Sequence, residues 1–239
     1  MACESTTCKS DPIKVCPGNP HYLMYKGKPV ILVTSAEHYG AVVNMDFDYE
    51  AYLDMLNKYG LNYTRIYPGA LIEKEGMFIE ENTLAPLPGR LAVPWARSAE
   101  PGYAGGGNRF DLEKWDIDYF CRLEDFIKKA AERDIIVEIC FFNCQHPDGW
   151  SYCPLYAANN IQGAGNCLLV DFQTLIHQDL VKIQEAYVRK IVEEVNEFDN
   201  IILELCDEPT MFNTPAVLAA EWISRHAGVI IETEDNLPK

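Results

Sequence analysis

The chain has 239 residues, of which 48% are hydrophobic and 23% are charged, a composition that is ordinary for a globular protein. Its net charge of −16 disfavours nucleic acid and anionic membranes as partners, because both present negative charge. No run of about 18 apolar residues is present, so the sequence predicts no membrane span. Neutral ligands such as sugars are compatible with this charge.

Cysteine usage bears on the compartment. The chain holds nine cysteines, an odd number, and Cys121, Cys140 and Cys206 fall inside apolar segments where a free thiol packs as a small hydrophobe. The first residues show no basic region followed by an apolar stretch, so no signal peptide is visible. We therefore predict a reducing, cytoplasmic location, with a secreted protein trimmed of its signal as the alternative.

The N-terminal region predicts a tail followed by a β-hairpin. Residues 1–20 are polar and predict a flexible tail. Lys26-Gly27-Lys28 separates two short apolar arms, residues 22–24 and 29–33, as in a hairpin. The second arm is apolar enough to form a strand buried on both faces, and we expect it to be the first strand of a larger sheet.

Strands and helices alternate through the rest of the chain. Apolar runs predict strands at residues 61–67, 135–142 and 201–206. Helical spacing predicts helices after the N-cap Asp48, over residues 116–133 and 175–198, and from Thr214-Pro215 onward. The segments after the strands are long, notably 68–115 and 143–174, whereas the turns from helix to strand are short. Long structureless segments of this kind are usually functional loops.

This alternation predicts an α/β fold with a parallel sheet. Long segments at the carboxyl ends of the strands favour a partial TIM (β/α)8 barrel of about four β/α units preceded by the hairpin, with its site on those loops. An open doubly wound sheet is the alternative. That fold favours a glycine-rich phosphate turn after the first strand, and residues 36–40 do not form one.

Asp207-Glu208-Pro209 at the end of the last predicted strand is the sharpest chemical feature. A carboxyl group held above an apolar strand can keep its proton and serve as a general acid. An acidic turn that leads into the next helix is the structural alternative.

These residues resemble a known family. Asp207-Glu208-Pro209 after a strand, Thr64-Arg65-Ile66, Gly27-Lys28-Pro29 in the hairpin and the stretch 108–123 are together similar to a clan A glycoside hydrolase of the cellulase-like, family 5 type. The resemblance covers residues 20–239. It implies that residues 21–239 are the N-terminal half of a (β/α)8 catalytic domain.

The resemblance also implies a retaining glycosidase with Glu208 as general acid/base. Such enzymes need a second carboxylate about 5–5.5 Å away as the nucleophile. In the family that residue ends the seventh strand, and only four strand segments are predicted here. We therefore expect the chain to be a fragment that lacks its nucleophile, or a half barrel completed by a second copy in a homodimer.

Six further residues are predicted to contact substrate. The resemblance places Asp207 where the family has a sugar-binding asparagine, although an ionised aspartate can only accept hydrogen bonds. It gives Arg65 a role in orienting the nucleophile, with an internal ion pair to Glu138 or Glu204 as the alternative. The remaining candidates follow the first and third strands: His38, Tyr39, Asn143 and Trp150.

Two other readings stay open at this stage. A non-catalytic carbohydrate-binding protein derived from such an enzyme would carry the same residues without turnover. An open-sheet enzyme using Cys140, Cys144, His146 and Cys153 would bind zinc, but their spacing is not a usual zinc pattern. No metal or organic cofactor is implied for the glycosidase, because paired carboxylates suffice for its chemistry.

Overall fold

The computed structural model describes residues 11–35 and 37–238. The elements, in chain order, are β1 (Lys14–Val15), β2 (Leu23–Tyr25), β3 (Lys28–Val30), α1 (Tyr49–Lys58), β4 (Tyr63–Ile66), β5 (Trp95–Pro101), β6 (Asn108–Trp115), α2 (Ile117–Ala131), β7 (Ile136–Asn143), α3 (Pro147–Trp150), α4 (Gln178–Val195), β8 (Ile201–Asp207) and α5 (Ala216–Asn236). No helix that the structure describes is long and apolar enough to cross a membrane.

A parallel sheet of three described strands organises the molecule. Its order is β4-β7-β8, with Arg65 opposite Glu138 and Cys140 opposite Glu204. Helices α2, α4 and α5 pack against this sheet, and their apolar faces bury residues such as Leu123 and Trp222 in the core. The predicted α/β class is therefore confirmed, and the parallel arrangement brings all three carboxyl ends to one edge.

The helix boundaries follow capping chemistry. Asp48 and Asp116 act as N-caps, because their side chains accept hydrogen bonds from the backbone amides of Ala51 and Tyr119. The Asp48 cap was expected from the sequence, which also predicted that the second helix begins near Asp116. Helix α4 covers Gln178–Val195 and is shorter than the predicted 175–198. The expectation that Thr214 caps the last helix is wrong, because Pro215 is the N-cap and α5 begins at Ala216.

The N-terminal region corrects two predictions. Residues 1–10 of the predicted tail lie outside the described residues, but Lys14–Val15 pairs with β2 and extends the hairpin to three strands. The expected buried strand over residues 29–33 is wrong, since β3 ends at Val30. Ile31 and Val33 are 64% and 47% exposed, and the segment lies beside the start of β4, where Asn62 N donates to Val33 O over 3.0 Å.

The predicted loop 68–115 contains a second hairpin. Strands β5 and β6 pair antiparallel around a turn that includes Gly106, whose φ of +93° suits glycine. Arg97 stabilises the hairpin by stacking over Phe110, with 4.0 Å from its guanidinium carbon to the ring centre. The apolar side chains Trp95 and Phe110 are buried beneath it. The loop is therefore a packed substructure beside the carboxyl edge of the sheet.

Candidate active site

The carboxyl edge of the parallel sheet gathers polar side chains from all three strands. Tyr67 directly follows β4, Asn143 ends β7, and Asp207 ends β8 with Glu208 next in the chain. Carboxyl ends of parallel strands lie at one edge, so residues far apart in sequence meet here.

Asp207 is the centre of this hydrogen-bond network. Its Oδ2 accepts from the Tyr67 hydroxyl at 2.9 Å, from Asn143 Nδ2 at 3.2 Å and from Arg65 Nη1 at 3.5 Å. Burial raises the pKa of Tyr67 far above its usual range, so this phenol stays protonated and donates. The carboxylate of Asp207 is thus an acceptor held in place by three donors.

Arg65 lies under the cavity and links the three strands electrostatically. Its Nε donates to Glu204 Oε2 at 2.8 Å, and it lies 3.9 Å from Glu138 Oε1. The Arg65 side chain is only 15% exposed, which makes these pairs stronger than surface ion pairs. The internal ion pairs that the sequence allowed are present, and Arg65 also reaches Asp207 at the site.

Glu208 directly follows the carboxyl end of β8 and has a strained backbone conformation. It is exposed, and its φ of +49° lies in the left-handed region that non-glycine residues rarely adopt. Phe78, Gln145 and Asn213 on the surrounding loops share this conformation, with φ between +53° and +69°. Such strain costs about 1–3 kcal/mol per residue and concentrates at functional sites.

A cavity of about 410 Å³ opens over these residues. Its polar wall includes Tyr39, Glu73, Asn143, Asp207 and Glu208. Its apolar wall is formed by Leu71, Phe78, Leu84, Met211 and Phe212. An apolar surface with a few converging polar groups is the usual form of a small-molecule site.

Cys144 lies against the candidate acid. Its Sγ donates to Asn143 Oδ1 at 3.0 Å and lies 3.9 Å from Glu208 Oε2. Burial, together with the charges of Glu208 and Asp207, raises the pKa of this thiol to about 12. Cys144 is therefore a neutral donor beside the carboxylates. Among residues 11–35 and 37–238, no cluster of histidine, cysteine or acidic side chains is arranged to hold a metal ion.

Two of the predicted substrate contacts lie away from this cavity. Trp150 is 7% exposed and packs against Tyr156 and Phe172, so its ring fills the core instead of presenting a face to a sugar. The His38 ring packs on Phe47, with 4.6 Å between the ring centres, and it lines a different cavity. Burial lowers the pKa of His38.

The other predicted residues converge. Tyr39 lines the same cavity as Asn143, Asp207 and Glu208, and its ring meets the Tyr67 ring edge-on at 5.3 Å. Its hydroxyl donates to Glu37 Oε2 at 2.9 Å. Tyr39, Asn143, Asp207 and Glu208 can therefore contact one ligand in this cavity. Their roles in substrate binding stay predictions.

Sequence reasoning did not single out Glu73. It lies in the predicted loop 68–115, directly after the apolar pair Leu71 and Ile72, and it reaches the same cavity. A charged residue after buried apolar residues on a loop was the available signal, but one carboxylate among many acidic residues does not stand out.

Helices cover the parallel sheet, and carboxylates gather at its carboxyl edge, where barrel enzymes build their active sites. No protein-family model matches the sequence, and no curated protein matches it either.

Solved structures show which fold this is. A proposed glycoside hydrolase from Bacteroides vulgatus matches with a TM-score of 0.64 at 15% identity, over 96% of this chain and 38% of that protein. Endo-1,4-β-mannanases from Rhizomucor miehei and Thermotoga petrophila match with TM-scores of 0.56 and 0.53 at 14% and 16% identity. A glycoside hydrolase of family 5 from Bacteroides vulgatus also matches, with a TM-score of 0.51 at 15% identity. The chain therefore has the fold of part of a family 5 glycoside hydrolase, as its sequence resemblance predicted.

The match covers unequal shares of the chains compared. The two mannanase alignments include 90% and 86% of this chain but 57% and 54% of the mannanases. The chain thus spans little more than half the length of those enzymes and about two fifths of the Bacteroides protein.

Proposed function

We propose that the chain is part of a retaining glycoside hydrolase in which Glu208 is the general acid/base. The observation that carries this is the position of Glu208, which follows β8 at the edge of a cavity on a family 5 fold. Its neighbour Asp207 is fixed by three donors, so the backbone that presents Glu208 is anchored from two other strands.

The proposed reaction uses Glu208 twice. Its protonated carboxyl group gives a proton to the glycosidic oxygen as the leaving sugar departs, and the carboxylate then takes a proton from the water that hydrolyses the glycosyl-enzyme intermediate. Arg65 and Asn143 hold Asp207, and Tyr39 and Asp207 contact sugar hydroxyls.

The nucleophile belongs to a part of the barrel outside the described sheet. Three parallel strands form an open arc, and a closed (β/α)8 barrel needs eight. We propose that this chain supplies the N-terminal half of the barrel and the acid/base, and that a further segment supplies the second carboxylate. Completion of the barrel by a second copy of the chain, in a homodimer, is the alternative. The cytoplasmic location of the protein stays a prediction.

The substrate class is carbohydrate, and a β-1,4-mannan is the first substrate to try. Two of the matched structures are endo-1,4-β-mannanases, and the cavity offers the mixture of apolar walls and hydrogen-bond acceptors that sugars require. No cofactor is part of the proposed mechanism.

The test is Glu208→Gln, with turnover assayed on the longest product of the same gene and oligosaccharide binding assayed on the 239-residue chain. Loss of the proton donor should lower kcat on mannan by about 10²–10⁴-fold and leave binding of mannopentaose within about twofold. The matched control is Glu221→Gln, an exposed glutamate on α5 outside the cavity, which should change neither.

Two results would count against the catalytic proposal. Unchanged turnover in Glu208→Gln would remove its role as acid/base. Mannopentaose binding without turnover, in the longest product as in this chain, would favour the carbohydrate-binding protein instead.

A further inference from the structure

The segment between β4 and β5 brings a third carboxylate into the cavity. Glu73 lines the same space as Asp207 and Glu208, although it comes from a different loop. Its backbone amide donates to Leu84 O at 2.9 Å, which closes residues 73–84 into a compact loop. The position of Glu73 is therefore fixed by the loop as a whole.

Asn82 holds the Glu73 side chain. Its Nδ2 donates to the Glu73 carboxylate and, at 3.2 Å, to Met77 O, while its Oδ1 accepts from Leu84 N at 2.9 Å. One amide side chain thus fixes the carboxylate and both arms of the loop. A carboxylate has about four acceptor positions, so Glu73 keeps acceptor capacity toward the cavity.

Three acidic side chains line the cavity, and Glu73 is not paired with a lysine or arginine among the described residues. Within residues 11–35 and 37–238, no lysine or arginine forms an ion pair with Glu73. Burial raises the pKa of Glu73, against the opposing effects of Asn82 and His146. Arg65 is engaged by Glu204 and Asp207 below the cavity. An anionic ligand would meet repulsion here.

Aromatic rings flank this carboxylate. His146 lies between Phe78 and Phe212, with ring centres 5.3 Å and 5.4 Å apart and the rings edge to face. Phe78 is 70% exposed, so an apolar face is available beside Glu73. A pyranose ring has an apolar C–H face and hydroxyl donors at its rim, which matches an aromatic surface beside an acceptor.

We propose that Glu73 is a specificity-determining residue of the sugar site. Its carboxylate accepts hydrogen bonds from the hydroxyl groups of a neutral sugar and repels sugars that carry a carboxylate, such as uronic acids. Asn82 is the positioning residue that holds it. This inference rests on the proposed function, since it assigns the kind of sugar that the same cavity selects.

Two binding measurements test the inference on the 239-residue chain. Calorimetry with mannopentaose and with pentagalacturonic acid gives the preference for neutral over acidic sugar. Glu73→Gln should weaken mannopentaose binding about tenfold and narrow the preference, because the amide removes both a strong acceptor and a like charge. The matched control Glu75→Gln, an exposed residue outside this cavity, should change neither value.

Two further variants separate charge from structure. Glu73→Asp keeps the charge but retracts the oxygens, so it should weaken mannopentaose binding and leave the preference intact. Asn82→Ala removes a donor to the ionised carboxylate, so the midpoint of the pH dependence of mannopentaose binding should move upward. Far-UV circular dichroism checks that each variant is folded.

The outcomes distinguish this inference from the proposed function. If wild type binds mannopentaose and a folded Glu73→Gln binds both pentasaccharides as wild type does, the inference is overturned and the proposed function stands. If wild type binds no neutral oligosaccharide, the sugar site itself is overturned, and the role of Glu73 falls with it.

Discussion

Arg65 lies with its guanidinium among three carboxylates, those of Glu138, Glu204 and Asp207. The Tyr63 hydroxyl also donates to Glu138, so the acidic groups are partly compensated by hydrogen bonds. A charge that is mostly withdrawn from water is costly unless it is paired. The cluster therefore depends on Arg65 more than on any one of its carboxylates.

Replacing Arg65 by methionine should destabilise the protein by about 3–5 kcal/mol, because it leaves half-buried carboxylates without their cation. Urea unfolding followed by tryptophan fluorescence measures the change. The control is Arg90→Met, which breaks an exposed pair with Asp46 and should cost less than about 1 kcal/mol. Equal losses in the two variants would show that the internal cluster contributes no more than a surface pair.

Some residues of the candidate site could be predicted from the sequence, and others could not. Arg65, Asp207 and Glu208 fall at or next to the ends of apolar strands, and parallel strands bring such ends together, so their convergence is predictable. Trp150 ends the short helix α3 and His38 lies on a loop, and strand periodicity does not predict the direction of side chains outside the strands. In the structure, the Trp150 ring is buried in the core and the His38 ring packs against Phe47. Neither ring lines the cavity that holds Asp207 and Glu208.

At the scale of elements, the start of α2 offers a sharp test. Asp116 accepts a hydrogen bond from Tyr119 N at 3.2 Å, and it precedes the helix that packs against the sheet. Asp116→Ala should lower the free energy of unfolding by about 0.5–2 kcal/mol, since it removes the cap. Asp116→Asn keeps an acceptor and should recover most of that loss in the same urea experiment. An alanine variant as stable as wild type would exclude a capping contribution.

Elements with strong local signals were predictable, and those set by distant contacts were not. The N-cap of α1 is a chemical feature of a few adjacent residues, and the predicted Asp48 cap is confirmed. The second helix also begins where its helical spacing placed it, next to Asp116. The hairpin of β5 and β6 was missed because its strands are short of alternating apolar residues and rich in charge. The strand expected at residues 29–33 has the right composition, but composition cannot supply the partner that a buried strand needs.

At the scale of the whole molecule, burial of thiols and phenols is the shared electrostatic feature. Burial raises the pKa of Cys144 and of Cys153 to about 12 and that of Cys167 to about 11. Burial, with the nearby Asp125 carboxylate, raises the pKa of Tyr49 to about 12. These groups are spread over several loops and helices, so their effect on stability adds across the fold.

The sign of that effect is fixed by proton linkage. An unfolded thiol loses its proton near its usual pKa of 9.0, whereas folded Cys153 keeps its proton to about 12. Between these values the unfolded state binds fewer protons, so the free energy of unfolding falls as pH rises. The contribution of Cys153 is fully present below pH 9.0 and is lost by the time the folded thiol ionises.

Cys153→Ala should therefore flatten the alkaline stability profile. Cys153 is fully buried and donates to Ala70 O at 3.1 Å, so the variant loses some stability at all pH values. Above the usual thiol pKa, however, its further loss should be smaller than that of wild type by up to about 1.4 kcal/mol per pH unit. Urea unfolding at neutral and alkaline pH measures both slopes. The exposed Cys121→Ala serves as control and should follow wild type, and a Cys153→Ala slope equal to wild type would contradict the linkage.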